Sequence, residues 1–180
     1  MNQRIEPGTD FGRLFRTFEH TAFRLEVRAS YAPSYELESF KKFLAGEPDD
    51  LPWAQEWFSM VREATSNGLR YERVRVVDTP LSDYNRWGLA VARHNIAAGE
   101  DIRYLVREGA QDAGLPHRDY WLFDSRKLVI MNYDEEDRFA GGDIIDDNSE
   151  IVQHNYWRDV AWHYALRRDS FATKEQPHRC

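Results

Sequence analysis

The chain has 180 residues, 24 Lys+Arg against 31 Asp+Glu for a formal net charge of −7, and 42% hydrophobic and 14% aromatic residues. That length suits one domain with a full core, and the aromatic content excludes a disordered chain. The acidic balance offers no general attraction for a phosphate backbone, so direct nucleic-acid binding is not expected. The single cysteine, Cys180, excludes an intrachain disulfide and a cysteine metal cluster.

The N-terminal MNQRIEPGTD lacks the apolar core of a signal peptide, and no apolar run is long enough to span a bilayer. A cytoplasmic protein without membrane association is therefore expected. Phe11, Leu14, Phe15 and Phe18 recur at helical spacing behind Thr9 or Asp10 as cap, which predicts a short amphipathic helix. Residues 22–28 then alternate, with Phe23, Leu25 and Val27 on one side and Arg24, Glu26 and Arg28 on the other, the pattern of a half-buried strand.

Pro33-Ser34 opens a second helix carrying Leu37, Phe40 and Leu44, stopped by Gly46 and Pro48. Asp49 or Asp50 caps a third, with Pro52 in its first turn, a stripe of Trp53, Trp57 and Val61, and Gly68 past its end. The short connection between them predicts an antiparallel pair. A strand-helix-strand crossover follows over residues 73–106. Its strands are 73–77 and 101–106, and its helix is capped by Thr79-Pro80 and closed by Gly99. This helix is expected to bury Tyr84, Trp87 and Val91, and Gly88 in its middle predicts close approach of another backbone.

Three short strands, 119–124, 127–133 and 139–145, form an antiparallel hairpin region over residues 119–145, with Ser125-Arg126 and the acidic 134–137 as turns. A last helix starts near Asn148 or Ser149 and runs past Leu166, with Val152, Tyr156, Val160 and Tyr164 on one face. The sum is a single α+β domain, residues 9–170, with a mixed sheet, helices mainly on one face, and flexible termini at 1–8 and 171–180.

Signatures of chemistry are few. Six histidines include no i, i+4 pair and no HExxH, and the acidic runs 134–137 and 143–147 lack the spacing of a calcium loop. No GxSxG, phosphate-binding glycine loop or electropositive cysteine is present, so no catalytic residue, metal or cofactor is assigned. If strands 22–28, 73–77 and 101–106 share a sheet, Arg24, Glu26, Arg28, Arg73, Arg75 and Arg103 face the same way. Such a face is either an anion site, since the guanidinium fork suits carboxylate and phosphate, or a network paired with Glu26, Glu72, Asp78 and Asp124. The segment 82–87 lies at the carboxyl end of the first crossover strand, where ligands of open α/β sheets gather. Trp121, Phe123, Tyr133 and Phe139 could stack bases, but the acids around them favour core packing. The candidate ligand-binding set is Arg75, Asp83, Tyr84, Arg86, Arg103, Trp121 and Asp124.

Several phrases together resemble one family: FGRLFRTFEHTAFRLEVR (11–28), FLAGEPDD (43–50), RVRVVDTPLSDYNRW (73–87), AAGEDIRYL (97–105), YWLFDSRKLVIMNYDEEDRF (120–139) and WRDVAW (157–162). It is an actinobacterial domain-of-unknown-function family, encoded beside helix-turn-helix transcription regulators. The second half is also similar to half of a phospholipase D-like domain. That resemblance implies a lost activity, because active members need a histidine followed two residues on by lysine, and this chain has no HxK. The family context implies a non-enzymatic regulatory domain that partners a helix-turn-helix regulator and forms homodimers. An acidic surface suits a basic protein partner. The alternative is an anionic small-molecule-binding domain or degenerate hydrolase, with the ligand on Arg75, Arg86 and Arg103 near Tyr84 and Trp121.

Overall fold

Alternation along two parallel strands organises the molecule. In the computed structural model, which describes residues 3–175, β2 (Thr21–Glu26) and β3 (Arg70–Val77) lie side by side at the centre of the sheet. β4 (Asp101–Val106) follows in parallel. β2 returns to β3 through α2 (Leu37–Ala45) and α3 (Gln55–Ser66), and β3 to β4 through α4 (Asp83–Ala98). Beyond β2 the sheet turns antiparallel with β5 (Tyr120–Phe123), β6 (Lys127–Tyr133), β7 (Phe139–Ile145) and β1 (Gln3–Ile5). β8 (Leu166–Arg167) closes the other edge, giving the order β1-β7-β6-β5-β2-β3-β4-β8. This is the α+β mixed sheet expected from the sequence.

The strands bury both faces. One face, formed by Ala22, Tyr71, Trp121, Phe123 and Val129, packs under α1 (Thr9–Thr17), α3 and α4 through Phe15, Phe58, Val61 and Trp87. The other, formed by Phe23, Leu25, Val74, Val76, Leu122 and Leu128, is covered by α5 (Arg107–Asp112) and α6 (Asn148–Tyr164). Helices therefore lie on both faces, not mainly on one. An apolar strand face as long as this one cannot be left in water.

Other expectations change in detail. The crossover helix begins at Ser82, whose hydroxyl accepts from the Asn85 N–H at 3.2 Å, and not at Thr79-Pro80. Gly88 makes room for a side chain: a Cβ there would collide with Nη1 of Arg75, not with another backbone. α6 stops at Tyr164, short of Leu166, and its buried side carries His154 and Ala161. Val152, Tyr156 and Tyr164 stay 68%, 60% and 58% exposed. The ends assigned as flexible contribute structure within the described residues. Gln3–Ile5 pairs with β7, and α7 (Arg168–Glu175) stacks Phe171 on Tyr104 at 5.1 Å. Cys180 and His178 lie outside the described residues.

Candidate functional site

The site grows out of the strand register. In the parallel β2-β3 pair Arg24 sits beside Arg73 and Glu26 beside Arg75, so four charged side chains leave the sheet on the same face. Glu26 is their hub and is only 2% exposed. It accepts from Arg75 Nε at 2.5 Å and from Arg73 Nη1 at 3.1 Å, and Arg24 Nη1 lies 3.1 Å away. Arg73 also meets Glu100 at 2.7 Å, and the Trp57 indole N–H approaches Glu100 at 3.4 Å. Burial alone would raise the Glu26 carboxyl, but Arg24, Arg75 and Arg73 together hold it well below the usual carboxylate range. Buried charges of this kind persist only when each has partners, and here they do.

Arg24 leads into a second knot. Its guanidinium lies 5.5 Å from the Trp121 ring centre and 5.7 Å from that of Tyr31, and it reaches Asp119 at 3.9 Å. Asp119 accepts from the Val27 N–H at 2.8 Å, the Tyr31 hydroxyl at 2.5 Å and the Tyr133 hydroxyl at 3.1 Å. Burial raises its carboxyl despite those partners. The segment after β2 is thereby strapped over the sheet. The Ala32 N–H donates to the Asp137 carbonyl at 3.1 Å, and Arg28 pairs with the Asp137 carboxylate.

Between this charged floor and the helices lies a cavity of about 340 Å³. Its walls are aromatic: Phe15 from α1, Tyr31 from the strap, Trp53 from the single turn before α3, Trp57 from the start of α3, and Tyr84 and Trp87 from α4. At the rim Glu36, from the single turn that leads into α2, accepts from the Tyr84 hydroxyl at 3.1 Å. Glu36 lines the cavity as Arg75 does, but forms no ion pair among the described residues. Burial pushes its carboxyl up to about 7, against the smaller opposing pulls of Arg75 and the Tyr84 hydrogen bond.

Of the seven candidate residues, the structure brings together Arg75, Tyr84 and Trp121, all on the cavity. Asp83 and Arg86 pair with each other on the exposed first turn of α4. Arg103 points to the opposite face, because β4 registers it against Val74 and not Arg75. There its guanidinium lies 3.7 Å from the Trp162 ring centre and donates to the Trp162 carbonyl at 3.1 Å. The expectation that Arg103 shares a face with Arg75 is therefore corrected: the register is offset by one residue from the alignment assumed. Asp124 holds a chain reversal, accepting from the N–H groups of Glu19, His20 and Thr21 at 2.9, 2.7 and 3.0 Å. Its own backbone and that of Ser125 are left-handed, with φ of 51° and 59°, so the hairpin turns on Asp124-Ser125 and not on Ser125-Arg126.

Sequence reasoning missed Glu36, Tyr31 and Asp119 as members of one site. Only Glu26, a carboxylate alternating with apolar residues in a strand, gave a signal in sequence. Every arginine on the cavity floor already meets a carboxylate, so the face is a network and not a vacant anion site. Among the described residues no group of three or more His, Cys, Asp or Glu is placed to hold a metal ion. No helix among them is long and apolar enough to cross a membrane.

The chain belongs to a family described as a domain of unknown function, DUF6879, whose model matches residues 9–173. No curated protein matches it.

Proposed function

We propose that the chain is a ligand-binding domain that holds one small organic molecule in the cavity between the sheet and helices α1, α3 and α4. The observation that carries this reading is the cavity itself, about 340 Å³ with aromatic walls over a fixed floor of charge. Concave apolar sites with a few convergent polar groups are where small ligands gather. Binding is favoured over catalysis by a Ser–His or Cys–His pair because, among the described residues, the lining includes no serine, threonine, cysteine, lysine or histidine. The anionic ligand expected from the arginines is the weaker version, since their charge is already spent on Glu26 and Glu100.

The test is a small-molecule screen read by thermal unfolding, run on the wild type and on Val91→Phe, which puts a ring into the cavity from α4. Ligands that raise the melting temperature of the wild type and not of the folded variant support the reading. Shifts that are equal in both contradict it.

A second reading, an interaction domain for a neighbouring helix-turn-helix regulator in the cytoplasm of an actinobacterium, is favoured by a different surface. Val152, Tyr156 and Tyr164 leave an apolar stripe in water along α6, the kind of patch that marks a protein contact. A homodimer through α6 uses the same stripe. Light scattering of the wild type and of Tyr156→Glu across a concentration series tests the dimer, and co-purification of the regulator from the native host tests the partner. The phospholipase D-like likeness adds no residue to either reading.

A further inference from the structure

We propose that the occupant of the cavity is an organic monocation, a protonated amine on an aromatic body, with its nitrogen seated against Glu36. This rests on the cavity being a ligand site.

The first argument is a charge inventory. Counted over the charged groups that line the cavity and their ion-pair partners, there are four arginines: Arg24, Arg73 and Arg75 from the lining, and Arg28 as the partner of the lining Asp137. Five carboxylates share that region, and four of them have an arginine within ion-pair reach. Glu26 meets Arg24, Arg73 and Arg75, Glu100 meets Arg73, Asp119 meets Arg24, and Asp137 meets Arg28. Glu36 is the fifth, and its hydrogen-bond partner is the neutral Tyr84 hydroxyl. When Glu36 is ionised the site carries one negative charge in excess, and one positive charge balances it. A phosphate or carboxylate ligand would deepen the imbalance in a region shielded from water.

The second argument is the surroundings of that carboxylate. The Tyr84 ring lies 5.5 Å from Trp87, 5.8 Å from Phe40 and 6.4 Å from Tyr31, and Tyr35 lies 5.5 Å from Trp53. Ring faces attract cations, and the rings gathered about Tyr84, whose hydroxyl Glu36 accepts from, put aromatic surface beside this carboxylate. Arg75 does not take this place, because its Nε is given to Glu26 and its Nη1 is lodged against Gly88. The groups facing Glu36 are Tyr84 from α4, Arg75 from β3, and Arg24 and Glu26 from β2. Their sum leaves the carboxyl at about 7, raised by burial, so a bound cation shifts it toward the ionised form.

Calorimetric titration at pH 8 with phenethylammonium, 2-phenylethanol and 3-phenylpropanoate compares one aromatic body carrying positive, zero and negative charge. The expected result is at least about tenfold tighter binding of the ammonium than of the alcohol, with the carboxylate weakest. In Glu36→Gln, with its fold checked by circular dichroism, the ammonium falls to the level of the alcohol. Lowering the pH from 8 to 6 weakens the ammonium about tenfold in the wild type and leaves the variant flat. Equal or tighter binding of the alcohol or carboxylate, or a cation preference that survives Glu36→Gln, overturns the charge assignment while the cavity reading stands. If none of the three binds, both fall.

Discussion

β2 and β3 send alternate residues to two faces of one sheet, and the faces are built on different principles. Toward α5 and α6, Phe23, Leu25, Val74 and Val76 make a buried apolar layer. Toward α1, α3 and α4 the same strands present Arg24, Glu26, Arg73 and Arg75 under a cavity. An apolar layer is stabilised in proportion to the area it removes from water. A charged layer gains little net stability, because desolvation offsets the attraction, and it fails when one partner is lost. A fold that carries both has its stability on one side and its adjustable chemistry on the other.

The sharpest way to break this contrast is to remove the hub. Glu26→Gln leaves three guanidinium groups short of a buried counter-charge and should cost about 3–5 kcal/mol by urea denaturation at pH 7. The folded-state Glu26 carboxyl is held low, so its contribution is full above the ordinary carboxylate range and is lost as pH falls from that range toward the lowered folded-state value. The deficit of the variant should therefore shrink in acid. Its sequence neighbour Leu25 is 0% exposed on the other face, and Leu25→Ala should cost about 3 kcal/mol with no such dependence on pH.

Glu36→Gln sharpens the contrast from the opposite direction. The folded-state carboxyl is raised to about 7, so the favourable linkage is full below the unfolded value and is lost as pH rises through about 7. Replacing it should stabilise the unliganded protein by about 2 kcal/mol at pH 8, after allowing for its partial exposure, and by nothing near pH 4. Thermal melts at the two pH values check this. Gly88→Ala is the smallest effect. The helix gains about 1 kcal/mol of propensity, but the new methyl displaces Arg75 from Glu26, leaving a net loss of about 1 kcal/mol. A crystal structure of that variant should show Arg75 in a new rotamer.

The two faces were unequally legible in the sequence. Alternation marked Phe23, Leu25 and Val27 as one side of a strand and Arg24, Glu26 and Arg28 as the other, and the strand-helix-strand crossover appears as expected. Register was not legible, because it is set by how neighbouring strands slide, and one step sent Arg103 to the far face. Periodicity placed Val152, Tyr156, Val160 and Tyr164 on one face of the last helix but did not say which side docks: the side carrying His154 and Ala161 is buried, and Val152 and Tyr156 stay in water. The cavity was out of reach because its parts come from distant segments. Glu36 and Tyr84 are 48 positions apart, and Tyr31 and Asp119 are 88 apart, with nothing local to tie them.

The measurement closest to the central claim is the titration of the Glu36 carboxyl carbon by NMR, with and without saturating phenethylammonium. The account predicts a midpoint near 7 in the free protein, falling toward the ordinary carboxylate range once the cation is bound. A free-protein midpoint already in the ordinary range, or one near 7 that the saturating cation leaves unmoved, would contradict it.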